Sequence, residues 1–282
     1  MDQKSPDLRA LTFLAPGIPI EFFEVVTGYL ARSLGCGIEL DSESRSSGPM
    51  HAHADPFAEG RADIGFLCAP SYIYLRSRAR PSVELVRAGF VFRDGRHGDA
   101  PVYFSEVVVR SDHPAREFTD LAGGVWGFND ECSLSGYFAA LQKLSELGCE
   151  GDFFCRRVHT GSHHASIEAT LAGTVDGAAI DSTVLAIALR ERPELAERLR
   201  VLESWGPFPI QPVVLRSTLD PSWAARIAAA LLGLHAADGF ARRLSRFGLD
   251  RCVPIDDAAY AEERRALRAL GQIPTWPMNS PT

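Results

Sequence analysis

Hydrophobic positions along the chain switch repeatedly between a period of two and a helical period. Residues 8–15 read as a strand. Phe22, Val25, Val26, Tyr29 and Leu30 then recur at helical spacing and predict an amphipathic helix over 20–34, ended by Gly35 and Gly37. Ile38-Glu39-Leu40 alternates as a second strand would, and 42–49 is a polar loop with Gly and Pro. A short helical piece is expected at 56–60. Strands are expected at 62–67, 83–92 and 102–110, with a helix at 72–78 after Ala69-Pro70-Ser71. A short helix at 118–121 precedes a strand at 125–128, a helix at 137–144 and a strand at 153–159. A helix at 164–172, a strand at 175–180, helices at 183–190 and 194–199 and a strand at 200–205 follow. Gly206-Pro207-Phe208-Pro209 reads as a stiff crossing. The chain then runs through a strand at 213–215 and helices at 222–233, 240–243 and 260–270. Pro274, Pro277 and Pro281 predict an irregular tail.

Strands alternating with helices predict an α/β fold with mixed, mostly parallel sheets. The stretches around 107–111 and 203–209 look like two paired crossings. On that reading, 1–108 and 206–282 form one discontinuous lobe and 109–205 a second. Ligands of such folds lie in a crevice at the C-terminal ends of strands.

The chain has 282 residues, 46% of them hydrophobic, enough for two lobes of ordinary size. Its net charge is −7, from 36 acidic against 29 basic residues, and no Lys/Arg-rich run occurs. A nucleic-acid partner is therefore not expected, and any anion site must be built locally from dipoles and hydroxyls. No window approaches the apolar length of a membrane span. Residues 10–20 have the length of a signal-peptide core, but Asp2 and Asp7 dilute the basic flank and prolines interrupt the run. Residues 8–20 thus read as a strand and loop, and the protein reads as unexported. Cys36, Cys68, Cys132, Cys149, Cys155 and Cys252 show no zinc-ligand or short disulfide pattern, which reads as unpaired thiols; Cys149 and Cys155 are close enough to pair.

The stretch richest in chemistry is Asp130-Glu131-Cys132-Ser133-Leu134-Ser135-Gly136-Tyr137. It lies where the strand at 125–128 hands over to a helix. The first N–H groups of a helix are unpartnered and carry partial positive charge, and Ser, Ser and Gly let an anion come close. Ordinary N-capping by Ser133 or Ser135 is the alternative reading, and it needs no ligand.

Four segments together resemble one family. Residues 130–137 resemble the Ser-x-Ser-Gly-Tyr anion loop of the phosphate/phosphonate ABC-transporter substrate-binding proteins. Gly161-Ser162-His163-His164-Ala165-Ser166 resembles their Gly-Ser-His-Asp-Ala segment. Gly173-Thr174-Val175-Asp176-Gly177-Ala178-Ala179 resembles their Gly-x-Val-Asp-Ala-Ala strand, and Glu59-Gly60-Arg61-Ala62-Asp63-Ile64-Gly65 their Gly-Arg-x-Asp-Ile strand. The resemblance implies a type II periplasmic-binding-protein fold, two α/β lobes joined by a two-crossing hinge. It implies that Ser133, Leu134, Ser135, Gly136 and His163 grip a phosphonate or phosphate, with the N–H groups of Ser135 and Gly136 helping. Tyr103 and Ser105 sit where the family places contacts near the hinge. Tyr72 reads as core. His163 suits the work as a ring N–H donor, or as an imidazolium near pH 6.

Departures from the family bear on the ligand. His164 stands where Asp is usual. The carboxylates that hold the amine of an aminophosphonate match Thr183 and Gln211, with Asp181 nearby, and Met50 occupies the place of an early ligand-facing aromatic. A different phosphonate, a phosphate ester or another small anion is as well supported. The partners implied are permease subunits of an ABC-type uptake system, or a sensor; no cofactor is implied.

Competing constellations are weaker. His51, His53 and Asp55 have metal-like spacing but no second cluster. Ser133, His163 and Asp181 could form a hydrolase triad, without a nucleophile-elbow motif. The runner-up is a cytosolic enzyme on the same fold, resembling menaquinone-pathway enzymes that act on small carboxylates, with His163 or Asp181 as acid or base.

Overall fold

The computed structural model describes residues 7–271 apart from 16, 52, 97 and 150. The chain starts with β1 (Leu8–Thr12), α1 (Ile20–Leu34), β2 (Ile38–Ser42), β3 (Ile64–Phe66), α2 (Ala69–Ser77), β4 (Val83–Leu85) and β5 (Gly89–Phe92). It continues through β6 (Val102–Arg110), β7 (Val125–Phe128), α3 (Ala139–Glu146), β8 (Arg156–His159), α4 (His163–Leu171), β9 (Gly177–Asp181), α5 (Ser182–Glu191), α6 (Leu195–Arg198) and β10 (Leu199–Pro209). It closes with β11 (Val213–Arg216), α7 (Ser222–Gly233), α8 (Asp238–Ser245), β12 (Leu249–Val253) and α9 (Ala261–Leu270).

Two sheets result, in the orders β2-β1-β3-β11-β4 and β10-β6-β9-β7-β8, with β12 and β5 as a separate pair. Both are mixed. In each, the strands linked through helices run parallel, and the strand reached by a crossing enters antiparallel: β11 against β3 and β4, β6 against β9 and β10. This is the α/β, two-lobed arrangement that the resemblance implied.

The first lobe is organised by α1. Its stripe of Phe22, Phe23, Val25, Val26, Tyr29 and Leu30 is buried, and Gly35 ends the helix at φ 68°. Phe22 meets Phe23, Phe90 and Phe247 edge to face, so the helix ties the large sheet to the β5–β12 pair. Asp63 locks the sheet edge. Buried, it accepts from the Arg9 N–H at 2.8 Å and pairs with the Arg216 guanidinium at 2.8 Å. Asp63→Ala would leave those donors unpaired, and a loss of about 2–3 kcal/mol is expected in urea unfolding. A loss under about 0.5 kcal/mol would show the pair to be solvent-screened.

Several expected elements differ. Residues 56–60 form no helix but a hydrogen-bonded turn, whose N–H groups at Phe57 and Ala58 are taken by Asp55 Oδ1. The strand expected over 83–92 is two, because β4 pairs with β11 while β5 turns away to pair with β12. Strand β12 itself was not expected. Residues 206–209 are not a free crossing: β10 continues through them with a register shift between Trp205 and Phe208. The stretches at 107–111 and 203–209 therefore lie within β6 and β10, paired with each other. Just before β6 and just after β10 the chain lies side by side, Ile210 N–H donating to Pro101 O at 2.8 Å. The prolines at 274, 277 and 281 lie outside the described residues.

Candidate functional site

Strands β8, β7 and β9 are parallel neighbours, so their C-terminal ends share one edge of the second sheet. Thr160 N–H donates to Phe128 O and Gly161 N–H to Asn129 O, which lays the exit of β8 along the exit of β7. Each strand then delivers a helix N-terminus to that edge. After β7, Leu134–Phe138 forms a wide π-turn that runs into α3. Ser133 caps it, its Oγ accepting from Gly136 N–H at 3.1 Å. Ser162 caps α4 through Ala165 N–H at 3.0 Å. Asp181 caps α5, its Oδ1 accepting from Thr183 and Val184 N–H at 2.7 and 3.3 Å.

The first lobe supplies a fourth helix start. Cys68, the residue before α2, faces the π-turn and its Sγ accepts from Leu134 N–H at 3.3 Å. Ser47 reaches across to Asp130, its Oγ donating to Oδ2 at 2.6 Å and its N–H to Oδ1 at 3.2 Å. Between the lobes lies a cavity of about 50 Å³ lined by all four capping residues, Cys68, Ser133, Ser162 and Asp181, together with Ser135, His163, Asn129, Gln211 and the hydroxyls of Ser44, Ser46 and Ser47. Four helix N-termini meet at one small space, each bringing partial positive charge, without a Lys or Arg in the lining.

His163 Nε2 lies 3.3 Å from Ser135 Oγ. Burial, with His164 beside it, pushes its pKa down to about 3, so the ring is the neutral imidazole and not the imidazolium. Burial pushes Asp181 the other way, up to about 6, against the N–H groups and Gln211 that favour its ionised form. Burial likewise raises the Cys68 thiol to about 12. The site's polar lining is neutral except for its two carboxyl groups, Asp130 and Asp181.

Of the residues singled out in the sequence, Ser133, Ser135, His163 and Asp181 line the cavity. Leu134 and Gly136 do not: their N–H groups are engaged by Cys68 and by Ser133. Tyr103 and Ser105 lie beneath the π-turn rather than in the cavity, and Ser105 Oγ donates to Ser135 O at 2.8 Å, bracing the loop from below. Thr183 opens onto a different cavity with Phe92 and Arg190, whereas Gln211 lines the central one and donates to Asp181 Oδ2. Met50 faces an outer groove with Ile73 and Leu267.

Asn129, Cys68 and the serines at 44, 46 and 47 were not singled out in the sequence as site residues, and Ser162 was read only as part of the segment that carries His163. Asn129 follows a strand end directly, a position that could have flagged it; the three serines sit in the polar loop after β2, and only closure of the fold brings them in.

Other constellations dissolve. Among the described residues no three His, Cys, Asp or Glu side chains converge as a metal site; Asp55 is held by Arg78 instead. Ser133, His163 and Asp181 share the cavity but no relay: both Asp181 oxygens are bonded to Thr183, Val184 and Gln211. All six cysteines are free thiols, Cys149 and Cys155 included. Among the described residues no helix is long and apolar enough to cross a membrane.

Known proteins share this fold. A binding-protein component of an ABC phosphonate transporter from Pseudomonas aeruginosa superposes with a TM-score of 0.77 at 16% identity, over 92% of this chain and 85% of that one. PhnD1 from Prochlorococcus marinus, in complex with methylphosphonate, gives 0.78 at 16% identity, over 94% and 98%. A Xanthomonas citri protein bound to ATP gives 0.69 at 16%, over 95% and 99%. These likenesses establish the fold. The family model described as "ABC transporter, phosphonate, periplasmic substrate-binding protein" matches residues 21–260, most of the chain. With the two lobes, the hinge and the converging helix starts, this makes the chain a member of the periplasmic substrate-binding proteins of phosphonate ABC transporters.

Proposed function

We propose that the cleft holds one compact tetrahedral oxyanion, a small phosphonate or phosphate, between Ser133, Ser135 and His163 of the second lobe and the serines at 44, 46 and 47 of the first. The observation that carries this reading is the convergence of four helix N-termini on a cavity of about 50 Å³. A single water needs about 10–15 Å³ on such a measure, so the cavity has room for a few water-sized groups, the size of an XO₃ head with a small substituent. A nucleotide such as the ATP of the Xanthomonas citri protein is too large for it.

The hydroxyls of Ser44, Ser133 and Ser135 and the neutral imidazole can each donate one hydrogen bond, whereas Ser46 and Ser47 already give their O–H to Gly48 O and Asp130 Oδ2 and serve as walls. Ser133 Oγ accepts from Gly136 N–H, which leaves its O–H to donate into the cavity. The site supplies no connected nucleophile, base and orienting acid, so the anion is held rather than turned over. As the family's substrate-binding component, the chain hands its ligand to permease subunits.

Titration calorimetry with methylphosphonate and inorganic phosphate tests the reading. Ser135→Ala is expected to weaken the better ligand by ten- to a hundredfold, the loss of one hydrogen bond to a charged group at about 1.5–3 kcal/mol. Unchanged affinity in that variant would remove Ser135 from the site.

A further inference from the structure

A carboxylate beside an oxyanion repels it, so an acid in the lining of such a cavity calls for a reason. Asp130 lines the cavity and is 5% exposed. An ionised carboxylate has about four acceptor positions, and here all are taken. Cys132 N–H donates to Oδ1 at 2.8 Å and Asn129 Nδ2 to Oδ2 at 2.9 Å, both from the same loop as Asp130. The other two donors come from the first lobe, Ser47 N–H to Oδ1 at 3.2 Å and Ser47 Oγ to Oδ2 at 2.6 Å. No position is left for a ligand. What Asp130 holds is Ser47.

Ser47 is seated in its own lobe. Its carbonyl accepts from Cys68 N–H at 2.8 Å. The turn behind it has no room to slide, because Gly48 sits at φ 141° and a Cβ there would come within 2.5 Å of Ser71 Oγ. Cys68 Sγ in turn accepts from Leu134 N–H at 3.3 Å. The loop 130–134 is thus clasped to the first lobe at both ends, at Asp130 and at Leu134, with the capping Ser133 between the clasps.

We propose that Asp130 is a positioning residue for oxyanion binding: it takes Ser47 only when the lobes are shut, and so couples the filling of the cavity to closure. The proposal rests on the oxyanion reading above. An anion resting on Ser133 and Ser135 draws the N-terminus of α2 towards it, and Cys68 and Ser47 arrive together. Both Ser47 donors then meet Asp130. When the lobes part, water replaces them on a carboxylate that hydrates readily, so no buried group is stranded. The clasp stabilises the shut form and leaves the open form as it was. Ligand enters the open form and leaves only after the lobes part, so the clasp acts on dissociation and not on association.

Stopped-flow fluorescence of the full chain with methylphosphonate, alongside calorimetry, separates this from a merely structural role. Ser47→Ala removes the shorter bond at a residue whose O–H is already given to Asp130. Its dissociation rate should rise about tenfold, with the association rate within about twofold of wild type. Asp130→Asn turns one acceptor into a donor. It should raise the dissociation rate by about ten- to a hundredfold, although it removes a negative charge from the cavity. In the Asp130→Asn background, Ser47→Ala should add less than about twofold. Tighter binding by Asp130→Asn would show that the carboxylate only repels the ligand, and overturns the inference. So do effects of the two substitutions that multiply independently, and a loss that falls on the association rate, the mark of a distorted anion loop. In each of those cases methylphosphonate still binds the wild-type protein and the oxyanion reading stands. No heat from methylphosphonate or inorganic phosphate overturns both.

Discussion

Alanine at position 136 is expected to abolish oxyanion binding. A Cβ on Gly136 would lie 1.8 Å from Asn129 Oδ1 and 2.8 Å from Asn129 Cγ, with His163 Cε1 at 3.2 Å. Asn129 cannot simply step aside. It is buried, its Nδ2 donates to Asp130 Oδ2 at 2.9 Å, and its backbone carbonyl accepts from Gly161 N–H at 3.0 Å. Rotating the carboxamide breaks its bond to Asp130 Oδ2, the oxygen that also takes Ser47 Oγ from the other lobe. Keeping the carboxamide pushes the π-turn away and carries Ser133 and Ser135 with it. Displacements of this size are costly where hydrogen bonds must converge on one atom group. The expected loss is at least a hundredfold in methylphosphonate affinity, about 3 kcal/mol. Overpacking adds about 1–3 kcal/mol of lost stability. The pair Gly136→Ala and Asn129→Ala provides the control, because deleting the carboxamide removes the clash. In a double-mutant cycle the stability losses should be strongly less than additive. Affinity within threefold of wild type for Gly136→Ala alone would show that the turn relaxes without moving its serines.

That argument also marks where the sequence stops being readable. Gly136 was singled out as an anion contact, because a glycine among serines at a helix start allows close approach. In the fold, the group that approaches closely is Asn129, seven residues earlier. Ser133, Ser135 and His163 were legible because each lies where a strand hands over to a helix, a local feature with a local physical meaning. Ser44, Ser46, Ser47 and Cys68 were not, because they reach the cavity only when the first lobe closes over the second. The secondary structure divides in the same way. The helix Ile20–Leu34 and the strands Val102–Arg110 and Val125–Phe128 follow from apolar periodicity and their flanking glycines. The break between β4 and β5 does not, since both halves are apolar and only their different partners, β11 and β12, separate them. Strand β12 carries Asp250 and Arg251 in its middle, a charged pair that hides a strand paired along a small outer sheet. The Gly206-Pro207 pair looks like a break but is absorbed as a register shift against β6. His163 was read either as a neutral N–H donor or as an imidazolium near pH 6, and burial favours the first.

Trp126→Ala is expected to be the most destabilising single truncation in the second lobe. Trp126 is fully buried at the centre of β7, between Arg157 of β8 and Gly177 of β9. Its ring stacks on Phe154 at 5.0 Å between centroids and meets Phe118 edge to face at 5.6 Å. Phe118 in turn packs on Phe153 and Trp205, so one aromatic cluster joins the loop before β8 to β10 across the sheet. Truncation leaves a void that rigid rings on three sides cannot fill, and costs about 3–5 kcal/mol. That is a fifth or more of the stability of a typical domain, about 5–15 kcal/mol. Trp126→Phe should behave differently. The indole Nε1 is buried without a hydrogen-bond partner among the described residues, so phenylalanine loses volume but also removes an unpaired donor. A loss below about 1.5 kcal/mol is expected there. The truncation should also reach the site, because β7 runs directly into Asn129 and the capping Ser133. Urea unfolding followed by tryptophan fluorescence, with methylphosphonate present and absent, measures both effects. If the alanine variant unfolds within about 1 kcal/mol of wild type, the cluster has room to collapse and is not the anchor of the lobe.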